Sequence, residues 1–152
     1  MKITDVECLI LDRKYPFVRI YTDEGIVGIG ECFRRHPEVI RTIVEKVIRP
    51  ALLDQDPMDT EVRWRDMIQA GSASDLGGVV YCAIAGLDIA MWDIKGKALG
   101  QPIYQLLGGN AREKVQMYAS SLRRDLAPVE EPKRAASLVE DRKSPLVNSI
   151  DR

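Results

Sequence analysis

The sequence predicts an α+β fold: a three-stranded antiparallel meander followed by a bundle of helices. Three observations predict it. Residues 3–31 carry three runs of alternating polar and apolar side chains separated by short breaks. Segments 37–50 and 56–71 have helix start and stop signals around apolar stripes. Residues 80–98 then place Val80, Ile84, Leu87, Met91, Ile94 and Ala98 at spacings of four and three, one continuous helical stripe.

Ile3 to Leu11 puts Val6, Cys8 and Ile10 on one face of a half-buried strand. After the break Asp12-Arg13-Lys14-Tyr15-Pro16, Phe17 to Thr22 reads as the second strand. Asp23-Glu24-Gly25 is a tight turn in which Gly25 is free to take a positive φ, and Ile26 to Glu31 returns as the third strand. Gly28 and Gly30 lie inside that strand, where glycine costs stability and marks a bulge or a close approach of other backbone; packing is their expected role. A phosphate loop is not expected here, because the spacing runs backwards from a dinucleotide fingerprint and no helix opens directly after it.

Pro37 suits a first helical turn, Ile40, Ile43, Val44, Val47 and Ile48 face a core, and Arg49-Pro50 is the expected stop. Asp56-Pro57 signals a second helix with Met58, Val62 and Ile68 as a weaker stripe, ending near Gly71. The glycine- and serine-rich stretch 71–78 reads as a loop. On the helix that follows, Ala85, Ile89, Trp92 and Gly96 form a second small or apolar face, so cover on two sides is expected. Gly100 supplies a left-handed C-cap and Pro102 forbids resumption. Asn110 to Lys114 is a polar connector and Val115 to Ala119 an alternating strand. Val129 to Arg142 reads as a helix beginning close to Glu131, since Pro132 is tolerated only in a first turn.

At 152 residues and a formal net charge of −1, the chain has the apolar content to bury a core and lacks the basic and aromatic stripe that tracks nucleic acid. Cys8, Cys32 and Cys82 are odd in number and widely spaced within apolar segments, which argues against a disulfide framework or thiolate metal site and suits a reducing cytoplasm. Asp5 stands where a signal peptide needs its apolar region, and no run approaches membrane-spanning length, so neither export nor a membrane partner is expected.

The run from Ala83 to Lys97, with Trp92-Asp93-Ile94-Lys95-Gly96-Lys97 at its end, continues through Gly100-Gln101-Pro102 to Leu106-Leu107-Gly108-Gly109. In spacing and residue type it resembles the N-terminal signature of the mandelate racemase/muconate lactonizing enzyme branch of the enolase superfamily. The resemblance implies an enolase-like N-terminal capping domain over residues 1–110. Over 111–152 it implies the first βα unit of an incomplete (β/α) barrel, with a tail that departs from the pattern from Arg142.

The chemistry so implied is α-proton abstraction from a carboxylate, as in acid-sugar dehydratases and racemases. Magnesium serves it because the α-proton is weakly acidic and the dianionic intermediate must be neutralised as it forms. In such enzymes the base and the acidic metal ligands stand at barrel strand ends. Where a Lys-x-Lys strand is due, this chain reads Arg142-Lys143-Ser144-Pro145: Lys143 has no partner two residues on, and Pro145 removes a ladder donor. Residues 111–152 also fall far short of the about 250 residues of a full barrel. No catalytic residue or metal ligand is therefore carried over; magnesium belongs to the intact family and none is expected on this chain alone.

The capping role does carry over. In relatives two loops close over the barrel mouth and select the substrate; here they correspond to Asp12–Pro16 and Cys32–His36. The candidate substrate-binding residues are Arg34, Arg35, His36, Phe33, Tyr15 and Lys14. Guanidinium forks match carboxylate geometry, so Arg34 and Arg35 suit the distal carboxylate or hydroxyls of an acid sugar. The plainer reading makes them solvated loop charges, with His36 at a helix cap. Asp93 and Lys97 are expected to pair along their helix, and Asp88, if buried, needs hydrogen-bond donors. The sequence thus favours the capping and substrate-specificity domain of an acid-sugar dehydratase or racemase, inactive alone. The alternatives are a stand-alone α+β binding or interaction module and a chain completed by a partner's barrel. Apolar surface left uncovered predicts a homo-oligomer or association through that surface.

Overall fold

The computed structural model describes residues 1–71 and 77–114, together with residues 130, 132, 133, 136, 137 and 140. Residues 72–76 of the expected loop, the expected strand at 115–119, most of the expected helix at 129–142 and the tail from Arg142 lie outside the described residues. Pro132, Lys133, Ala136, Ser137 and Glu140 have helical backbone. The chain divides into two compact units, Met1–Gly109 and Asn110–Arg152.

In the first unit β1 (Ile3–Leu11), β2 (Tyr15–Thr22) and β3 (Val27–Glu31) form an antiparallel meander in the order β1-β2-β3. The register sets Ile20 between Val6 and Gly28, and Val18 between Cys8 and Gly30. Because side chains alternate across a sheet, those six residues share the buried face. β2 starts two residues earlier than expected, with Tyr15 and Pro16 already paired to Leu11 and Ile10. At the other end Gly25 takes a φ of 77°, and Thr22 braces the turn by donating from Oγ1 to the Ile26 carbonyl at 2.8 Å.

The first helical segment, α1 (Pro37–Thr42), passes through a π-helical stretch, Ile43–Ile48, into α2 (Arg49–Leu52). The expected stop at Arg49-Pro50 is therefore not a stop. A proline inside a helix lacks the N–H and crowds the carbonyl four residues back. The wider turn, in which the Arg49 N–H reaches the Val44 carbonyl, makes room for it. α3 (Thr60–Gly71) also begins later than the sequence suggests. The Asp56 carboxylate accepts from the Met58 N–H at 2.9 Å, which commits this stretch to a turn. The buried side of α3 is Thr60, Arg63, Met67 and Gly71, while Val62 is exposed. Arg63 is buried because its guanidinium is engaged: Nη1 donates to Gln55 Oε1 at 2.9 Å and Nε lies 2.9 Å from Asp66 Oδ2.

α4 (Gly78–Leu99) is the central helix, and the short α5 (Ile103–Leu106) follows Pro102. Gly100 closes α4 at φ 61°, and the Gln101 N–H bonds the Gly96 carbonyl at 2.9 Å, as expected of a left-handed glycine cap. Val80, Ile84, Leu87, Met91 and Ile94 are buried on a helix that packs on the sheet, α1, the π-helical stretch and α3. α4 lies directly on β3: a Cβ added at Gly28 would overlap the Ala90 carbonyl oxygen, and one at Gly30 the Gly86 carbonyl oxygen. Of the bulge and the close approach that the sequence left open at the two strand glycines, the structure has the close approach, with β3 in regular register. Of the second face of α4, Ala85 and Ile89 are exposed, Trp92 is half-buried and Gly96 is covered. Among the described residues no helix is long and apolar enough to cross a membrane, and all three cysteines are free.

Candidate functional site

β1 and β2 are joined by a hairpin turn in which Asp12 and Arg13 both take left-handed backbone, φ 49° and 53°, while the Lys14 N–H donates to the Leu11 carbonyl at 3.0 Å. Such mirror-image turns suit the twist of a hairpin but ordinarily use glycine or asparagine. Aspartate tolerates the conformation; at Arg13 it costs roughly 1–2 kcal/mol. The second loop leaves β3 at the same end of the sheet, because the Cys32 N–H bonds the Pro16 carbonyl at 2.8 Å and Pro16 pairs with Ile10. α1 packs on β1 and β2, so residues 33–36 cross the end of β2 to reach it and bring the two loops side by side.

His36 ends that crossing at φ 55° and ψ 54° immediately before Pro37, a position where proline disfavours helical geometry. It stands at the N-cap of α1, with its carbonyl accepting from the Val39 and Ile40 N–H groups, but its imidazole makes no cap bond. Three of the four described non-glycine residues with positive φ, Asp12, Arg13 and His36, therefore sit in these two loops. Backbone strain of this kind gathers at functional sites because the rest of the fold must hold it in place.

All six residues singled out in the sequence lie at this end of the sheet. Phe33 is 52% exposed and Leu11, at the end of β1, 51%, and the Lys14 ammonium sits 5.2 Å from the Tyr15 ring centroid. Arg34, Arg35 and His36 are exposed, and with Arg13 and Lys14 they make no ion pair among the described residues. The neighbouring acid, Glu38, is 3.4 Å from Arg41. Four fixed cations and a histidine thus face one loop carboxylate, Asp12. Two concavities of about 380 and 410 Å³ lie elsewhere, one at the C-terminal end of α4 beside Asp93 and Lys97, the other beside Gln55, Arg63 and Asp66.

Other titratable groups serve the fold. The expected Asp93–Lys97 pair forms at 2.7 Å, and it does more than the sequence disclosed. Asp93 Oδ2 accepts the Ile29 N–H at 2.9 Å, and Lys97 Nζ donates to the Val27 carbonyl at 2.7 Å, so the pair occupies the free edge of β3. Helical spacing reveals the pair but not a strand far away in sequence. Lys95 donates to the Met58 carbonyl at 3.0 Å and lies over the Trp92 ring. Asp88 is half-buried with no hydrogen-bond partner among the described residues, and burial, aided by Glu61, pushes its carboxyl above the usual range. Burial likewise pushes the Cys8 thiol up to about 11 and the Cys32 thiol to about 12, so neither is a thiolate nucleophile at neutral pH. Among the described residues no three His, Cys, Asp or Glu side chains gather to hold a metal ion. What the arrangement can do is bind an anion at an exposed, strained, cationic surface.

Residues 10–108 match the family model for the mandelate racemase/muconate lactonizing enzyme N-terminal domain. The chain is 43% identical over 119 residues to a D-galactonate dehydratase of Verminephrobacter eiseniae, covering 78% of this chain and 31% of that protein. It is 38% identical over 120 residues to a D-xylonate dehydratase of Haloferax volcanii, covering 77% and 28%. A structure of a mandelate racemase/muconate lactonizing protein from Paracoccus denitrificans complexed with magnesium superposes with a TM-score of 0.67 at 38% identity, covering 73% of this chain and 31% of that one. The chain thus spans about a third of the length of the relatives it matches.

Proposed function

Because the chain belongs to the mandelate racemase/muconate lactonizing enzyme family, we propose that it is the capping and substrate-specificity part of an acid-sugar dehydratase or racemase. In this reading residues 1–110 are the cap and residues 111–152 the start of the barrel. The loops at 12–16 and 32–36 meet the end of the substrate remote from the reacting carbon. Arg34 and Arg35 bind its carboxylate or hydroxyls, Lys14 and His36 add donors, and Phe33 and Tyr15 pack against the carbon chain.

The observation that carries this reading is the meeting of two strained loops at one sheet end, with four cations that form no ion pair among the described residues. Fixed backbone and unpaired cations favour a substrate anion, because neither must be reorganised nor stripped from a partner before binding. Binding energy gained so far from the reacting carbon orients the substrate and is spent on the chemistry elsewhere.

In the intact family magnesium neutralises the enediolate charge; the described side chains here do not fit it, so no step is assigned to it in them. The chain by itself is accordingly expected not to turn over substrate. Association of copies through the uncovered apolar surface and a reducing, cytoplasmic setting for the three free cysteines complete the proposal.

A loop graft tests it. Residues 12–16 and 32–36 placed at the matching positions of the full-length D-galactonate dehydratase should change its ratio of kcat/KM between galactonate and other acid sugars. Arg34→Ala and Arg35→Ala within the graft should partly reverse the change. An unaltered ratio would sink the assignment of these loops to substrate selection. Turnover of an acid sugar by the purified 152-residue chain with magnesium would sink the claim that it is inactive alone.

A further inference from the structure

The composition of the two loops narrows the substrate further, on the premise that they meet it as proposed above. When an acid sugar reacts at the carbon next to its carboxylate, that carboxylate is at the reacting end. The remote end of a monoacid then offers only hydroxyls. A hydroxyl both donates and accepts, and sites that read hydroxyls use groups that do the same or accept: Asn, Gln, Ser, Thr, Tyr, His and ionised acids. Of these, residues 12–16 and 32–36 contain no Asn, Gln, Ser or Thr, and only Asp12, Tyr15 and His36. They contain Arg13, Lys14, Arg34 and Arg35, side chains that only donate and carry charge. None of the four has an ion-pair partner among the described residues. Side chains that only donate thus outnumber the acceptors Asp12, Tyr15 and His36, and such an excess of charged donors matches a group that only accepts.

We infer that the acid sugar selected by this surface carries a second carboxylate at the end remote from the reacting carbon, held by Arg34 and Arg35. Planar guanidinium forks fit a planar carboxylate with two parallel hydrogen bonds. Lys14 and Arg13, on the facing hairpin turn, supply further positive potential. Phe33 and Leu11, about half exposed, give the carbon chain an apolar seat. The substrate class is therefore a sugar diacid, which departs from the monoacids for which the D-galactonate and D-xylonate dehydratase relatives are named.

Three ligands that share one stereochemistry, gluconate, glucarate and 6-phosphogluconate, test this beside a fourth, succinate, a diacid without the hydroxyls. Each is titrated into the ¹⁵N-labelled 152-residue chain while the arginine Nε–H signals and the amides of residues 12–16 and 32–36 are followed. Glucarate should move these signals at roughly tenfold lower concentration than gluconate. The Arg34→Ala/Arg35→Ala variant should lose that preference while its amide spectrum elsewhere stays unchanged, since both side chains are exposed. Equal responses to gluconate and glucarate would overturn the diacid and leave the acid-sugar reading standing. A response to 6-phosphogluconate alone would replace the carboxylate by a phosphate and overturn the assignment. Succinate matching glucarate would reduce the effect to unspecific charge attraction and overturn it as well. If none of the ligands moves the loop signals, the capping reading falls with it.

Discussion

Gly30 has no room for a methyl group, because the Gly86 carbonyl oxygen occupies the place a Cβ would take; Gly86 in turn faces the Cys32 Sγ. Gly30→Ala therefore has to push α4 off β3 rather than displace a flexible side-chain end. Overpacking of this kind typically costs about 1–3 kcal/mol, and equilibrium urea unfolding should place Gly30→Ala at the upper end of that range. Gly25→Ala, with open space around the added Cβ, should cost less and for another reason, the φ of 77°. Asp88 offers a second test at this scale. Its folded carboxyl is pushed above the ordinary aspartate value of about 3.9, so the folded state binds the proton more tightly than the unfolded chain. Stability then falls as pH rises from that value to the folded one, and the deficit persists at neutral pH. Asp88→Asn should equal or exceed the parent in stability at pH 7, and the gap should close below about pH 3.9. Thermal melts at both pH values check this, and a variant less stable at pH 7 would show that the carboxylate has a stabilising partner.

Between α4 and β3 the contact has two parts, glycine backbone packed under the helix and an ion pair along the strand edge. The free edge of a sheet invites pairing with another chain, and charged side chains near it discourage that. Asp93 and Lys97 go further by occupying the edge N–H of Ile29 and the edge carbonyl of Val27. Lys97→Met should cost about 1 kcal/mol in unfolding free energy. Asp93→Ala should quicken amide hydrogen exchange at Ile29, and unchanged exchange there would remove the clip from the account. Much of this layer was legible in the sequence: alternation located the strands, the two strand glycines announced a bulge or a close approach, and Gly100 and Pro102 marked the end of α4. The misread parts have local causes. Arg49-Pro50 reads as a stop because a standard helix cannot absorb proline, and only the π-helical stretch before it removes the conflict. The sequence gives no sign that Arg63 is buried, because its partners Gln55 and Asp66 are set by the fold. At the candidate site the residue types were legible, whereas the left-handed backbone of Asp12, Arg13 and His36 was not, since nothing in their identity calls for it.

At the scale of the molecule, α4 was expected to be covered on two sides, and the described residues cover one of them and only the C-terminal part of the other, Trp92 and Gly96. Ile89 is 48% exposed and Tyr81, two turns back, is exposed too. Ala85 lies between them, so the apolar stripe is continuous, and a contiguous apolar stripe on a soluble chain marks a surface for contact. The full-length relatives carry about three times as much chain, so a face uncovered here need not be uncovered in them. For the 152-residue chain in isolation the physical consequence is association. Sedimentation velocity should show an average mass that rises with protein concentration. Ile89→Lys should hold the chain closer to monomer, because a charge in the centre of the stripe would have to be desolvated on association. The same substitution should change unfolding free energy by no more than about 0.5 kcal/mol, since a surface position away from caps and packed contacts has little to lose. Salt separates this route from its rival. Screening weakens contacts made by the cationic loops but leaves apolar association intact, so added sodium chloride should not dissolve the assemblies. A mass that is independent of Ile89 and falls with salt would transfer self-association from α4 to the loop end of the sheet.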